Sequence, residues 1–296
     1  MKRNRNQAPR ITLSRGAFLL IGLSLLVTGA CLLLRQSLAL TKAEQLLLAI
    51  LETVAALILP AYLGLFRMLQ LRPEQIRINR LEHGKMVYLF LLGAFLVFPE
   101  TLMNNLAQML LNRIGAVTVG RIGWEAGTFF PAFLLAAVLR PAAATLFYDG
   151  YLVRTFDGKG RFLKYGIPAV AAGVQGVMNR GVGGALAGIL TVICYGQSAS
   201  LFAPVLLLSG YGFGQVLMGH LREIGLFSPQ SLPGSVFLLV CTCVDVVWLG
   251  KIYRIPPVEG RIQLPRNIRI SRREKGLCVA ASCAVILAIV VSEVLQ

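Results

Sequence analysis

Long apolar blocks alternate with short polar segments along almost the whole chain. The blocks fall at about 17–34, 43–66, 87–111, 123–147, 165–179, 183–198, 199–219, 232–250 and 276–294. A hydrocarbon core of about 30 Å takes roughly 20 apolar residues in helical form. The pattern therefore predicts an all-α fold, a polytopic transmembrane helix bundle of about 8–9 spans forming one integral membrane domain over 1–296. Two blocks, 165–179 and 183–198, are short for a full crossing and predict tilted, re-entrant or half-buried helices. Irregular backbone at membrane depth is tolerated only under protein cover or beside a cavity, so the short pair points to a cavity.

Composition agrees: 56% of residues are hydrophobic and 14% charged, against about 45–50% and 25% in soluble chains. The net charge of +16 resembles that of a nucleic-acid binder. Its basic residues, however, lie in short runs between apolar blocks and form no single basic face, so no nucleic-acid partner is expected. They orient the chain and meet anionic headgroups instead, which makes membrane lipids the first expected partner. With the N-terminus inside and nine crossings, segments 1–16, 67–86, 153–164 and 251–275 hold 22 of the 29 Lys and Arg residues. The outer segments hold six: Arg35, Lys42, Arg113, Arg121, Arg180 and Arg222. The expectation is a cytoplasmic N-terminus, a C-terminus outside and a bacterial plasma membrane. The first apolar run follows a basic stretch, as in a signal peptide, but it is long and closes on no small-x-small cleavage site. It reads as an uncleaved first span.

Cys31, Cys194, Cys241, Cys243, Cys278 and Cys283 all fall in apolar blocks, without zinc-site spacing, and read as small buried hydrophobes. His83 and His220 lie near predicted membrane edges, and one His-x-x-Glu pair, His220 with Glu223, is too common to mark a metal site. The tract Gly210-Tyr-Gly-Phe-Gly214 lacks the strand, spacing and lysine of a phosphate loop. With Gly184-x-x-x-Gly188 it fits close helix packing.

Ionisable groups at bilayer depth are costly and normally face protein or water. Here they are Glu52, Glu100, Glu125, Arg140, Asp149 and Asp245, with Asn104, Asn105, Gln108, Gln175, Asn179 and Ser209 as polar neighbours. Pro99-Glu100 is a candidate helix break. One reading is a polar cavity involving Glu100, Asn104, Arg140, Asp149 and Asn179. The other is internal pairing, for instance of Arg140 with a carboxylate on a neighbouring helix.

The stretch Pro141-Ala-Ala-Ala-Thr-Leu-Phe-Tyr-Asp-Gly-Tyr-Leu152 resembles the first motif of the CAAX-protease and bacteriocin-processing (CPBP) family of intramembrane metalloproteases. There a proline precedes a Glu-Glu pair, three mostly apolar or aromatic residues, an Arg and a Gly. Pro141, Leu146-Phe147-Tyr148, Gly150, Tyr151 and Leu152 keep the frame. The Glu pair falls on Ala144 and Thr145, and the Arg on Asp149. The second motif, Phe followed by a ligand His, falls on Gln175 and Asn179. The tract Gln197-Ser-Ala-Ser-Leu-Phe-Ala-Pro204 is similar to the one preceding the third motif, whose positions fall on Ser209 and Phe213. The resemblance covers about 129–217 and implies a retained fold with a dismantled metal centre. A hydroxide-generating metal needs about three protein ligands and an open position. Ala144 offers no donor, and Thr145, Asn179 and Ser209 only neutral ones. No metal, no cofactor and no catalysis are expected there.

Three classes of function remain open. The first is a non-catalytic relative acting as a scaffold, chaperone or immunity-type partner of a membrane protein or lipidated peptide. The second is an active intramembrane metalloprotease with displaced residues such as Glu100, Asp149 or His220. The third is a transporter or lipid-handling protein; the absence of an evident repeat weighs against a repeat-built transporter.

Overall fold

The computed structural model describes residues 8–71, 81–113, 129–157, 160–225 and 232–250. Every element in them is helical. Five helices are long and apolar enough to cross a membrane, and Gly184–Ser198 and Pro233–Leu249 are shorter apolar ones. The protein is an all-α membrane helix bundle. The expected span 276–294, together with Cys278, Cys283, Glu125 and the basic segment 251–275, lies outside the described residues.

Helix α1 is Ala8–Ser37, and α2 runs over Lys42–Met68. A capping box starts α2: the Glu44 amide donates to Thr41 Oγ1 at 3.4 Å, and the Thr41 amide donates back to Glu44 Oε2 at 2.8 Å. Helices α3 (His83–Phe95) and α4 (Val97–Arg113) meet at Leu96. The predicted break at Pro99-Glu100 is thus realised one turn earlier, as expected when a proline ring excludes the carbonyl four residues before it. Helix α5 covers Phe130–Thr155. The apolar block at 123–147 includes Arg140 but stops short of Asp149; in the fold the helix runs on through Asp149 to Thr155. Helices α6 (Arg161–Arg180), α7 (Gly184–Ser198), α8 (Phe202–Glu223) and α9 (Leu232–Leu249) complete the series. At 15 residues, α7 reaches only about 22 Å, short of a full hydrocarbon core.

Widened π turns interrupt α2 at Val54–Ile58 and α5 at Leu135–Leu139. Each lies just before a proline, Pro60 or Pro141, whose displaced carbonyl belongs to Ala56 or Ala137 within the wide turn. Second π turns follow at Leu63–Met68 and Leu146–Leu152. These two meet. Gly64 has no Cβ, and one there would fall on the Tyr151 ring, whose hydroxyl donates to the Met68 sulfur at 3.2 Å.

The interior has two apolar clusters. One joins α1, α2, α5 and α6 through residues such as Leu57, Leu65, Phe147, Tyr151 and Ala172. The other joins α3, α7 and α8 through Leu89, Leu92, Cys194, Leu207 and Tyr211. Glycines set the closest approaches. A Cβ at Gly210 would strike the Phe90 carbonyl, and one at Gly93 the Leu207 carbonyl, so α3 and α8 touch backbone to backbone. Gly176 and Gly184 do the same for α6 and α7, as the small-residue spacing predicted.

Candidate functional site

Between the two clusters lies a cavity of about 70 Å³, room for a few water molecules. Helix α5 contributes Arg140, Ala144 and Tyr148 to its wall, and α6 contributes Gln175, Asn179 and Arg180. Small residues of α7, Gly184, Ala187 and Gly188, hold the third side open, and Leu208 and Tyr211 of α8 close it. No lining residue is acidic.

Glu52 stands behind this wall, 1% exposed. Arg35 Nη2 donates to one of its carboxylate oxygens at 2.7 Å and Arg140 Nη2 to the other at 3.0 Å. The trio thus ties α1, α2 and α5 at bilayer depth and carries one net positive charge. A second network crosses the same region. Tyr148 donates to Gln175 Oε1 at 2.6 Å, and Gln175 Nε2 donates to Thr28 Oγ1 at 3.2 Å.

A third network closes the α6–α7 turn. Asn104 Nδ2 donates to the Arg180 carbonyl, and the Gly183 amide donates to Asn104 Oδ1, both at 3.0 Å. Gly181 takes the left-handed φ of +81° that this turn requires. The Arg180 guanidinium lies over the Tyr211 ring at 4.5 Å. Glu100 accepts from Gln215 Nε2 on both oxygens, at 3.2 and 3.0 Å.

Of the motif positions, Ala144, Gln175 and Asn179 line the one cavity. Thr145 and Asp149 are buried in α5 but are not among its lining, and neither are Ser209 and Phe213. Helix α8 reaches the cavity through Leu208 and Tyr211 instead, while Phe213 packs its ring near Phe90 and Phe133. Of the residues expected in a polar cavity, Arg140 and Asn179 belong to it; Glu100, Asn104 and Asp149 do not. The pairing expected of Arg140 with a carboxylate on a neighbouring helix is met by Glu52 and not by Asp149. Arg140 pairs with Glu52, and both Asp149 oxygens lack a hydrogen-bond partner, as do those of Asp245. Cys243 is exposed, contrary to the uniform burial expected of the cysteines, while Cys31, Cys194 and Cys241 are buried.

Arg35 and Arg180 escaped the sequence reading because both were counted as loop charges. The apolar block ends at Leu34, but α1 continues to Ser37 and draws Arg35 inside. Among the described residues no three His, Cys, Asp or Glu side chains gather closely enough to hold a metal ion. Compared with known proteins, the chain matches no family model, no curated protein and no solved structure.

Proposed function

We propose that the chain is a non-catalytic, CPBP-like membrane protein whose central cavity receives part of a partner, in the manner of a scaffold, chaperone or immunity-type protein. The partner is another membrane protein or a lipidated peptide. One observation carries the reading: Ala144 and Asn179, at expected metal-ligand positions on two different helices, line with Gln175 one cavity whose wall has no acid and no imidazole. Its arginines, amides and tyrosines can bind and orient a polar group. They do not supply the anionic and imidazole donors of a hydrolytic zinc site. The host is a bacterial plasma membrane, with the N-terminus cytoplasmic and the C-terminus outside, a placement supported by the Lys and Arg distribution.

A photo-crosslinking residue at Ala144 in native membranes tests the binding half. The expected result is a discrete adduct with one protein or lipidated peptide, absent when the probe replaces lipid-facing Leu110. Lipid adducts alone, equal at both positions, would overturn it. Metal analysis tests the non-catalytic half. One zinc per chain, lost together with a peptidase activity in Asp149→Ala, would reverse that conclusion.

A further inference from the structure

Arg140 of α5 and Arg180 of α6 both line the cavity, so two cationic side chains share one space. A guanidinium has five N–H donors and no acceptor. Arg140 uses one of its donors on Glu52. Glu52 is already shared with Arg35, so it does not fully offset either arginine. The Arg180 guanidinium stands over the face of the Tyr211 ring. Asn179, next to Arg180 in the chain, lines the same cavity, and its Nδ2 donates to the Gln175 carbonyl. A side-chain amide carries two N–H donors.

An apolar membrane interior compensates charge poorly, so two like charges on the wall of one polar space favour an anion there. Donors on both α5 and α6 line this space, and a tetrahedral oxyanion offers acceptor oxygens to more than one of them. The small residues of α7 keep the third wall clear for a group of that size.

We propose that this cavity binds a phosphate-class oxyanion between Arg140 and Arg180, with Asn179 as a third donor. The anion is either the phosphate of a lipid headgroup or a free phosphate ion. This rests on the reading of the cavity as a binding site and names the chemistry it recognises.

The test uses the full chain in nanodiscs. Binding of phosphatidic acid, titrated into a phosphatidylcholine background, is read by native mass spectrometry. Inorganic phosphate is titrated separately by calorimetry. Saturable one-to-one binding of phosphatidic acid, at least tenfold weaker in Arg180→Gln and unchanged in Arg67→Gln at the exposed end of α2, identifies the lipid source. The same pattern with inorganic phosphate alone identifies the free ion.

Arg180→Lys is expected to retain part of the affinity, because the charge stays while the fork is lost. If Arg180→Gln does not fold, Asn179→Leu and Ala144→Leu, which remove a donor and fill space, must weaken binding by a similar factor. Neither ligand exceeding the phosphatidylcholine background, or binding indifferent to these variants, overturns the proposal. A discrete partner adduct at Ala144 without anion binding would sink this proposal and leave the earlier one standing. Anion binding without any partner adduct would do the reverse.

Discussion

Glu52 is the residue on which most buried charge turns. Both its oxygens accept from arginines, one on the preceding helix α1 and one on the distant helix α5. Replacing one member of a buried ion network leaves uncompensated charge and typically costs about 3–5 kcal/mol, whereas replacing the whole network with apolar residues often costs little. Glu52→Gln is therefore expected to lower the thermal midpoint in detergent more than the combined Arg35→Leu, Glu52→Leu, Arg140→Leu variant does. A single variant milder than the triple would show that the trio is solvated instead.

Asn104→Leu is the matching test at the α6–α7 turn. It strands the Gly183 amide and the Arg180 carbonyl, each a buried group worth about 1–3 kcal/mol when unsatisfied. Loss of folded yield or a lower midpoint checks it. Much of this was legible in the sequence, because Glu52, Arg140 and Asn104 stand out against apolar surroundings. Their partners were not. Arg35 sits just past an apolar run, and Asn104 bonds backbone groups, which no side-chain pattern announces.

At the scale of helices, glycine and proline positions decide the shape. The Gly210 and Gly93 contacts put carbonyl oxygens where a Cβ would be, so Gly210→Val must push α3 from α8. The expected cost is about 1–3 kcal/mol or more, as for overpacked cores. Gly22 of α1 has nothing near its missing Cβ. There Gly22→Ala is expected to be neutral or to stabilise by about 0.5–1 kcal/mol, since glycine is the poorer helix former. Unfolding midpoints of the two variants must move in opposite directions, or the second must not move. The spacing of Gly184 and Gly188, and of Gly210 and Gly214, made these contacts readable in advance. The π turns were not, although Pro60 and Pro141 mark where two of them end. The offset of α5 has a related cause: hydropathy treats Asp149 as a boundary, while the fold buries it within the helix.

At the scale of the whole molecule, the two apolar clusters enclose a polar seam, and the seam changes how charge reports on orientation. Arg35 and Arg180 were counted with the outer loops, yet one is paired with buried Glu52 and the other lines the cavity. Neither faces a bulk phase in the way the positive-inside rule assumes. Removing both leaves Lys42, Arg113, Arg121 and Arg222 outside, against 22 basic residues in the inner segments. The asymmetry thus sharpens once the buried pair is set aside, which supports the orientation proposed above, with the N-terminus and 251–275 cytoplasmic. In a background without native cysteines, Arg5→Cys and Gly260→Cys are each expected to resist a membrane-impermeant maleimide in intact cells. Both should react after the membrane is opened. A cysteine replacing Lys42, at the start of α2, should react without opening. Ready labelling of position 5 or 260 from outside would invert the topology. It would also place the Arg35 end of α1, and with it the charged trio, nearer the cytoplasmic face.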